Sequence, residues 1–521
     1  MKIWIASMEC AGIVEAGGVK NVTYSLCEGF SKAGHEVTLF IPVFATTRFD
    51  SLEDFEPDVL GTEISTCETN IYVSYSSAKF KNFKGNVILI NHPAFSEKHG
   101  VYVYTQEEEQ VNMSHKCGTG HMDMHFLDTI LSKSVASYGT LIDATNQPDI
   151  IHCQDAATAI IPSYIETLRP DFYKDTKCIV TIHNAGPAYH HEFKDSSEAY
   201  YYTELKYEWL LAATNNARIE PFLLASLHGH LSTVSDYYAQ ELQDPKNNNI
   251  TDNLAGIFYE RGIKIEGITN GIDYNRYDPE NTDKSRLAYK ILCKSGDFSG
   301  KFDNRKFLIE LLKTPDNTEL PQAKRFLSDI EFFGHLDDET SKSVYFVYHG
   351  RIVWQKGINL FLQASEEILK RHPNVKIIVC GQGEQSIEDT VRKFAENHQG
   401  RAVYIKGYNQ SLSRLVVAAS DFAAMPSHFE PCCLEDFIAQ LYGTIPIAHA
   451  TGGLQKIIHG KTGFLYKPNT QQMLSQQMEK AIELYHENKI QQMQIYAFGY
   501  VQTEYCWNKV IEKYLKYFSE I

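Results

Sequence analysis

The sequence predicts an α/β protein with two doubly wound domains, each built around a mostly parallel sheet. Short apolar segments alternate with longer segments of helical periodicity, which is the pattern of βαβ units. This alternation begins at residue 2, stops, and begins again near residue 345. The chain has 521 residues, which is too long for one ordinary hydrophobic core. Two such domains are expected to face a central cleft, where ligands bind at the carboxyl ends of the strands.

The first series opens with a βαβ unit. Lys2–Ser7 is a predicted strand, Val19–Lys32 a predicted helix and Val37–Pro42 the next predicted strand. Ile263–Asn270 is predicted to be a strand-like connection at the end of the series. Between them, further strands are predicted from apolar runs, with helical stretches between several of them: Val87–Asn91, Ile150–Cys153, Cys178–His183 and Leu231–Ser235.

The second series follows a charged stretch, Asp278–Ser343, which is predicted to be irregular. Its predicted strands are Tyr345–Ile352, Val375–Cys380, Ala402–Lys406, Asp421–Met425, Ile445–His449 and Phe464–Tyr466. Its predicted helices are Ile358–Arg371, Ile387–His398, Leu412–Ser420 and Leu434–Tyr442. The boundary between the series falls between about residues 240 and 275, and we expect domains over residues 1–255 and 256–500.

Composition and charge restrict the class of protein. With 43% hydrophobic and 22% charged residues, the chain has the composition of a soluble globular protein. Its formal net charge of −16 argues against a nucleic-acid groove, which needs a basic stripe. The eleven cysteines show no CxxC pair or zinc spacing, which predicts reduced thiols. No signal peptide precedes the first strand and no apolar run is long enough to span a membrane, so we expect a cytoplasmic protein without membrane partners.

The segment 426–454 carries the strongest sign of a ligand site. It places Glu430 in a loop between a predicted buried strand and a predicted helix. A helix start presents free N–H groups and a positive dipole end, which suit a phosphate. Arg351 and Lys356 lie between the end of a strand and the start of a helix, where cations oppose the helix dipole and need an anion to balance them. The alternative is that both are solvated surface charges.

Two glycine-bearing loops are further candidates for a phosphate site. Gly17 and Gly18 lie between the first strand and the first helix. Such glycines equally often only permit close packing of the helix on the strand. Thr451, Gly452 and Gly453 follow a predicted strand, and they would either form a simple tight turn or let backbone amides approach a phosphate.

Polar residues follow two strands of the first series. His183 and Asn184 end one strand, and Asp155 follows another. The histidine could equally occupy a satisfied core position, and the aspartate could cap the next helix. The chain has no Asp-x-Asp pair of the kind that holds a nucleotide diphosphate through a divalent metal. A diphosphate would then depend on Arg351, Lys356 and helix dipoles, without a metal.

Several segments of the sequence together are typical of one family. They are TIHNAG (181–186), TVSDYYAQEL (233–242), GITNGIDYNRYDP (267–279), HGRIVWQKG (349–357), FEPCCL (429–434) and YGTIPIAHATGGL (442–454). In these segments the chain resembles the bacterial glycogen synthases and plant starch synthases, which are retaining glucosyltransferases with two Rossmann-like domains in the GT-B fold.

The resemblance implies a role for each matched position. Arg351 and Lys356 would stabilise the departing diphosphate, and Glu430 would lie beside the sugar. His183 and Asp155 would face the glucosyl unit and the acceptor, and residues 501–521 would form a helix that returns to the first domain. The remaining substrate-binding positions implied are Glu15, Gly17, Gly18, Asn184, Tyr408 (stacked on the base), Cys432, Cys433, Leu434, Thr451, Gly452 and Gly453.

The sequence departs from the family at four places. Glu15 occupies the lysine position of the Lys-x-Gly-Gly-Leu loop, although Lys20 is near enough to replace the charge. Ala156-Ala157 replaces Trp-His after Asp155, and Cys433 replaces a glycine. Residues 224–226 replace Lys-Ala-Gly. Most departures fall in the first domain, so they concern the acceptor and the choice of donor.

The resemblance implies a metal-independent enzyme without a cofactor. It would transfer glucose from a nucleotide-glucose, with ADP-glucose favoured, to the non-reducing end of an α-1,4-glucan, with retention of configuration. One alternative, suggested by Glu15 and Ala156-Ala157, is a related GT-B glycosyltransferase with another donor or acceptor. A third hypothesis is a non-catalytic glucan-binding or regulatory relic.

Overall fold

The chain forms two compact units in a computed structural model that describes residues 1–313, 323–337 and 342–521. Unit 1 contains Met1–Asn270 and Val510–Ile521, and unit 2 contains Gly271–Lys509. Each unit is built on one large sheet whose strands are mostly parallel. The predicted α/β class with two doubly wound sheets is therefore confirmed. In the ranges given above, no helix combines the length and the apolar character needed to cross a bilayer.

Unit 1 alternates strands and helices along most of its length. Its strands are β1 (Lys2–Ala6), β2 (Glu36–Pro42), β3 (Leu52–Thr66), β4 (Thr69–Phe80), β5 (Asn86–Asn91), β6 (Ile150–Gln154), β7 (Lys177–Ile182), β8 (Thr214–Asn215), β9 (Arg218–Ile219), β10 (His230–Thr233) and β11 (Ile265–Gly267). Its helices are α1 (Val19–Lys32), α2 (Pro93–Ser96), α3 (Gln106–Val111), α4 (Met124–Tyr138), α5 (Ile161–Leu168), α6 (Pro170–Tyr173), α7 (Ser196–Thr203), α8 (Tyr207–Ala212), α9 (Pro221–His228), α10 (Asp236–Glu241) and α11 (Leu254–Glu260).

The large sheet of unit 1 has the strand order β11-β10-β7-β6-β1-β2-β5-β4-β3. From β1 the chain proceeds to β2 on one side, and it later returns to β6 on the other side of β1. The topological switch point therefore lies between β1 and β6, both of which are parallel and buried. In open α/β sheets, ligands bind beyond the carboxyl ends of the strands at such a point.

Unit 2 repeats the alternation with fewer strands. Its strands are β12 (Ile330–Leu336), β13 (Val344–His349), β14 (Val375–Gly381), β15 (Arg401–Gly407), β16 (Phe422–Met425), β17 (Ile445–His449) and β18 (Phe464–Tyr466). The helices from this point to the end of the chain are α12 (Thr282–Ser285), α13 (Ser299–Lys313), α14 (Lys324–Leu327), α15 (Ile358–Arg371), α16 (Gln385–Asn397), α17 (Gln410–Ala419), α18 (Glu435–Leu441), α19 (Gln471–His486), α20 (Ile490–Glu504) and α21 (Trp507–Glu520).

The sheet of unit 2 has the order β12-β15-β14-β13-β16-β17-β18, and only β12 pairs antiparallel. Successive residues of a strand point to opposite faces. Accordingly, Tyr345 and Val347 pack into the core with α13, α17 and α18, whereas Phe346 packs into the core with α15, α16 and α19. Burial on both faces explains why these strands are continuously apolar. The switch point of this sheet lies between β13 and β16.

The prediction of an irregular stretch over Asp278–Ser343 is wrong in its described part, which contains α12, α13, α14 and β12. Residues 314–322 and 338–341 of that stretch lie outside the described residues. Helix α13 was missed because two of its buried side chains are charged. Lys301 donates to the carbonyls of Ala418 and Tyr442, each at 2.9 Å, and Arg305 pairs with Asp421 at 2.6 Å. These charges interrupt the apolar periodicity that identifies a helix in a sequence.

Other differences concern single elements of the two sheets. The antiparallel strands β3 and β4 were not predicted, because the exposed residues of β3 are largely charged and hide its alternation. The strand predicted over Ile263–Asn270 spans only Ile265–Gly267. The strand predicted over Tyr345–Ile352 ends at His349, where Gly350 has a φ of +146° and the chain turns.

Candidate functional site

The donor-side residues predicted from the sequence lie at the switch point of unit 2. Arg351 and Lys356 follow the carboxyl end of β13, and Glu430 follows that of β16, the adjacent strand. The two loops touch at Gly357, which has a φ of +66°. A Cβ atom there would lie 2.0 Å from the carbonyl oxygen of Pro426, so only glycine permits this approach.

Lys356 and Glu430 form an ion pair. Nζ of Lys356 lies 2.5 Å from Oε2 of Glu430, and the same oxygen accepts a hydrogen bond from Ser427 at 3.2 Å. Glu430 is 6% exposed. Although burial by itself lowers the pKa of Lys356, the Glu430 carboxylate raises it above its ordinary value. The ammonium group is therefore charged at neutral pH, beside a carboxylate at the edge of the sheet.

Arg351 and Tyr408 present their side chains to solvent. Arg351 is exposed, and within residues 1–313, 323–337 and 342–521 its guanidinium forms no ion pair within 4.0 Å. Tyr408 is 67% exposed and directly follows β15, which lies in the same sheet as β13 with β14 between them. A cation and an aromatic face are thus accessible near the carboxyl edge that carries Glu430.

Lys456 is a central residue that sequence reasoning missed. Its Nζ donates to three carbonyl oxygens, those of Cys432 (2.6 Å), Cys433 (3.0 Å) and Gly453 (3.0 Å), and lies 2.8 Å from Oδ1 of Asp436. This buried ammonium holds the 430–434 loop, the 451–453 loop and the start of α18 together. A single lysine in an apolar segment gives no sequence signal that separates this role from a surface charge.

The backbone of the 430–434 loop is unusual at Cys433. Its φ is +62°, in the left-handed region that glycine adopts without cost, which agrees with the glycine expected at this position of the family. Cys432 precedes it in the loop, and Leu434 directly precedes α18 with a helical backbone and no side-chain cap.

The start of α18 carries negative side chains that are already neutralised. Glu435 accepts from Nδ1 of His349 at 2.7 Å, and Asp436 pairs with Lys456. Burial raises the pKa of Asp436 to about 6, against the lowering effect of Lys456. The start of α18 was predicted to bind an anion. This requires that His349 and Lys456 offset the negative charges of Glu435 and Asp436.

The Thr451-Gly452-Gly453 loop packs directly on the Glu430 loop. The amide of Gly453 donates to the backbone carbonyl of Glu430 at 2.8 Å. A Cβ atom on Gly453 would lie 2.2 Å from the carbonyl oxygen of Cys432. Close packing of the two loops therefore requires a glycine at this position.

In unit 1, Glu9 occupies the loop after β1 and was not predicted from the sequence. Its Oε2 accepts from the amides of Ala16 (2.9 Å) and Gly17 (2.6 Å). Burial raises the pKa of Glu9, against the lowering effect of these two hydrogen bonds. A Cβ atom on Gly17 would lie 2.9 Å from Oε1 of Glu9, whereas one on Gly18 would meet nothing within 4 Å. Gly17 thus serves the approach of Glu9, and the space beside Gly18 is open.

Glu15 folds back onto its own loop. Its Oε1 accepts from the amide of Gly12 at 3.0 Å, and its Oε2 lies 3.3 Å from Nζ of Lys20. Burial opposes ionisation, but the Gly12 amide and Lys20 give Glu15 a lowered pKa. Glu15 is therefore an ionised carboxylate whose charge Lys20 balances, at the position where the resemblance led us to expect a lysine.

Asp155 follows β6 and His183 follows β7, so both lie at the carboxyl edge of the sheet of unit 1. Strand β6 borders the switch point. The amide of His183 donates to Oδ1 of Asp155 at 3.3 Å, and Nε2 of His183 donates to Oε1 of Gln154 at 2.9 Å. Burial lowers the pKa of His183 to about 4, so its ring is neutral at pH 7. Asp155 makes no side-chain cap to the following turn, so the capping interpretation is wrong.

Asp155 also has a strained backbone. Its φ and ψ are +66° and −176°, a combination that is essentially restricted to glycine. Burial raises the pKa of this carboxyl group to about 7, against the lowering effects of His191 and of nearby amides. Strain and a perturbed acid at a switch point are physical signs of a functional residue.

Two hydrogen-bond systems shape the loop that follows His183. Oδ1 of Asn184 accepts from the amide of Gly186 at 2.9 Å, which closes a turn. Farther along, His190 donates through Nε2 to the carbonyl of Ala185 (2.8 Å) and through Nδ1 to Oε2 of Glu220 (2.9 Å). Although burial lowers its pKa, the interaction with Glu220 raises the pKa of His190 to about 9. A buried imidazolium–carboxylate pair therefore fixes this loop.

By residue type, His190, Glu192 and Glu220 also form a possible metal-ligand group. Metal binding needs a lone pair on a neutral imidazole. Both ring nitrogens of His190 act as donors here, and Glu192 is paired with Arg218 at 3.0 Å. The hydrogen bonds therefore suit a charged structural cluster better than a metal centre.

Comparison with known proteins agrees with this architecture. Residues 2–258 match the family model described as the starch synthase catalytic domain, and residues 332–498 match that of the glycosyl transferases group 1. The chain is 26% identical to a glycogen synthase of Thermodesulfovibrio yellowstonii, covering 99% of this chain and 97% of the relative. It is 25% identical to a glycogen synthase of Vibrio vulnificus, covering 99% and 98%.

Solved structures give the same fold. The catalytic domain of starch synthase IV from Arabidopsis thaliana, bound to ADP and acarbose, matches with a TM-score of 0.79 at 22% identity, over 100% of this chain and 98% of that chain. A sucrose-phosphate synthase from Thermosynechococcus elongatus matches with a TM-score of 0.55 at 14% identity, with coverage of 100% and 98%. The two family models together span most of the sequence. The chain therefore belongs to the family of bacterial glycogen synthases and plant starch synthases, which are glycosyltransferases of the GT-B fold.

Proposed function

We propose that the protein transfers glucose from a nucleotide-glucose, with ADP-glucose favoured, to the non-reducing end of an α-1,4-glucan, with retention of configuration. The observation that carries the proposal is the pairing of Lys356 with Glu430 at the switch point of unit 2. The chain is similar over nearly its whole length to proteins named glycogen synthase. A starch synthase of the same fold is described as bound to ADP and acarbose, which favours ADP-glucose as the donor.

The charges at the sheet edge suit this reaction. Cleavage of the sugar–phosphate bond builds negative charge on the leaving diphosphate and positive charge at the anomeric carbon. Lys356 is held charged, and Arg351 is exposed and unpaired within the described ranges, so both are available to the diphosphate. The carboxylate of Glu430 lies beside Lys356 and would stabilise the positive sugar carbon. Tyr408 offers an exposed ring on which a base can stack.

The two halves of the chain would have different tasks. We assign the nucleotide-sugar to residues 256–500, which contain Arg351, Lys356 and Glu430. We assign the glucosyl unit and the acceptor to residues 1–255. The support in this half is the strained Asp155 beside the neutral His183. We assign residues 501–521, which contain α21, the role of a terminal helix that returns to the first domain.

The experiment that tests this function is transfer of radiolabelled glucose to glycogen without added metal, with ADP-glucose and UDP-glucose in parallel. We expect transfer from at least one of the two donors, with ADP-glucose used more efficiently than UDP-glucose. Digestion of the labelled product by β-amylase would report α-1,4 linkage at non-reducing ends. Absence of label in glycogen with every donor would refute the proposal.

A second candidate is a related glycosyltransferase that uses another donor or acceptor. The observation that favours it is the Glu15–Lys20 pair, which places a carboxylate where the family has a lysine. A screen of nucleotide sugars against glycogen, maltooligosaccharides and unrelated acceptors separates the two functions. Nucleotide or glucan binding by calorimetry with no turnover for any pair would instead support a non-catalytic binding protein.

A further inference from the structure

Asp128 and His191 form a buried hydrogen-bonded pair in unit 1 that has no part in the reaction described above. Nδ1 of His191 donates to Oδ2 of Asp128 at 2.6 Å. Asp128 lies on α4, and His191 follows the loop fixed by His190. Asp128 is 4% exposed, and within the described part of the chain its other oxygen, Oδ1, is buried without a hydrogen bond. The pair with His191 is therefore the main compensation for this buried carboxylate.

His191 keeps one ring nitrogen available. Within the ranges that the structure describes, Nε2 forms no hydrogen bond and no ion pair, and the side chain is 16% exposed. Its backbone has a φ of +53°, which is costly for a residue other than glycine. A glycine at this position would avoid that cost, and it would also remove the ring. The contacts of the histidine side chain therefore offset this backbone cost.

The neighbours of His191 favour the protonated form of its ring. The titratable groups that face it are Asp128, Asp155, Glu220 and His125. Although burial lowers the pKa of His191, Asp128 and Asp155 raise it, with Asp128 the stronger of the two. Asp155 raises the pKa of His191, and His191 lowers the pKa of Asp155. Among the described residues, the two side chains form no ion pair within 4.0 Å.

A sugar hydroxyl fits this arrangement chemically. A hydroxyl group both accepts and donates a hydrogen bond. In the protonated ring, Nε2 of His191 is a donor, and among the described residues it has no acceptor. Asp155, a partly exposed acid whose pKa His191 lowers, is a neighbouring group. A sugar hydroxyl can therefore accept from the protonated ring and keep its own hydrogen for a second acceptor. Bonds to charged groups of this kind are the stronger ones in proteins.

We propose that His191 is an acceptor-binding residue, whose Nε2 donates to a hydroxyl of the glucan that Asp155 faces, and that Asp128 is its positioning residue. The inference rests on the proposed glucosyl transfer and extends it, because it adds a contact that follows from this chain's own Asp128–His191 pair. No bond is made or broken at this site.

The first test replaces the ring without straining the loop. His191→Gly suits the positive φ, and His191→Gln restores a side-chain donor. We expect His191→Gly to raise KM for maltoheptaose about tenfold, the effect of one charged hydrogen bond, while KM for ADP-glucose changes less than about twofold. His191→Gln should return KM for maltoheptaose to within about threefold of the wild type. His99→Ala, which removes another ring that pairs with a glutamate, is the matched control.

The second test addresses Asp128. Asp128→Asn keeps the acceptor for Nδ1 but removes the charge that raises the pKa of His191. The ring should then lose its second proton at a lower pH, so Nε2 stops donating. We expect KM for maltoheptaose to remain near the wild-type value at pH 6 and to rise as the pH increases to 8. A purely structural role would give no such pH dependence.

The outcomes separate this inference from the proposed function. Unchanged KM for maltoheptaose in folded His191→Gly and His191→Gln would overturn the inference while transfer itself continues. Equal loss in both variants, in proportion to lowered thermal stability, would also overturn it. If the wild type transfers no glucose, the proposed function fails. Calorimetric titration of maltoheptaose into wild type and His191→Gly then decides the inference: weaker binding by the variant supports it, and equal binding overturns it.

Discussion

Lys356 and Glu430 are 74 positions apart in the sequence, yet their charged atoms lie 2.5 Å apart at the carboxyl edge of one sheet. In the proposed reaction Lys356 stabilises the leaving diphosphate and Glu430 stabilises the positive sugar carbon, so neither side chain can replace the other. We expect Lys356→Met and Glu430→Gln each to lower kcat by about 10²–10³, the usual effect of removing one preorganised electrostatic group. The measurement is the rate of glucose transfer at saturating donor, with thermal unfolding as the test of folding.

A matched control for this prediction is Arg392→Met, which breaks an exposed ion pair with Glu396 in the same unit. Exposed pairs contribute about 0–1 kcal/mol, so the control should retain both its fold and its rate. Rates near that of the wild type in both Lys356→Met and Glu430→Gln would contradict the assignment of this pair.

Asp155 allows a test that separates stability from activity. Its pKa in the folded protein is about 7, raised by burial from the ordinary value of 3.8. The folded state therefore holds its proton more strongly than the unfolded state, and the contribution of this group to stability falls as the pH rises from about 4 to about 7. Asp155→Asn removes this titration. We expect the variant to unfold at a higher temperature than the wild type at pH 8, with a smaller difference at pH 4.

The same variant should lose glucose transfer, because an amide cannot act as the ionised acceptor of a hydrogen bond. Stabilisation with loss of function is the expected behaviour of a strained residue at a functional site. A difference in unfolding temperature that is equal at pH 4 and pH 8 would show that Asp155 does not titrate in this window.

At the scale of elements, the loop between β1 and α1 distinguishes two adjacent glycines. A Cβ atom at Gly17 would press on Glu9, and one at Gly18 would meet nothing. We expect Gly17→Ala to cost about 1–3 kcal/mol, as overpacking does in a close-packed interior. Gly18→Ala should change the free energy of unfolding by less than about 0.5 kcal/mol. Urea unfolding of both variants measures the contrast, and equal effects would show that the loop does not close around Glu9.

Elements were predictable from the sequence where their residues follow one simple pattern. The strands β13 to β17 are apolar on both faces, and α15 has a clear apolar stripe, so their existence was evident. Helix α13 was missed because Lys301 and Arg305 are buried with partners that come from distant parts of the chain. Tertiary contacts thus overrode the local pattern.

At the scale of the whole molecule, unit 1 is completed by the end of the chain. The side chain of Ile511 lies so close to Gly29 on α1 that a Cβ atom on that glycine would be 2.5 Å away, and Tyr514 and Phe518 pack around Phe30. We expect Ile511→Ala to cost about 2–5 kcal/mol. Truncation after residue 509 should expose the apolar surface of α1 and lower the yield of soluble protein.

Lys516→Ala is a suitable control for Ile511→Ala, because Lys516 is an exposed residue of the same helix. Unfolding followed by circular dichroism compares the two variants. Equal stability of Ile511→Ala and Lys516→Ala would mean that unit 1 does not depend on the terminal helix.

The sequence alone determined the α/β class, the two series of strands and helices, and the family. It did so because buried parallel strands are continuously apolar, and because motifs such as HGRIVWQKG and FEPCCL are contiguous. Only the tertiary structure decided which charges meet. Some of these contacts join side chains tens of positions apart, such as Asp128 with His191. Others join a side chain and a backbone atom, such as Lys456 with three carbonyls and Glu9 with the amide of Gly17. Such pairings depend on how the chain closes in space, and no local pattern of residues records them.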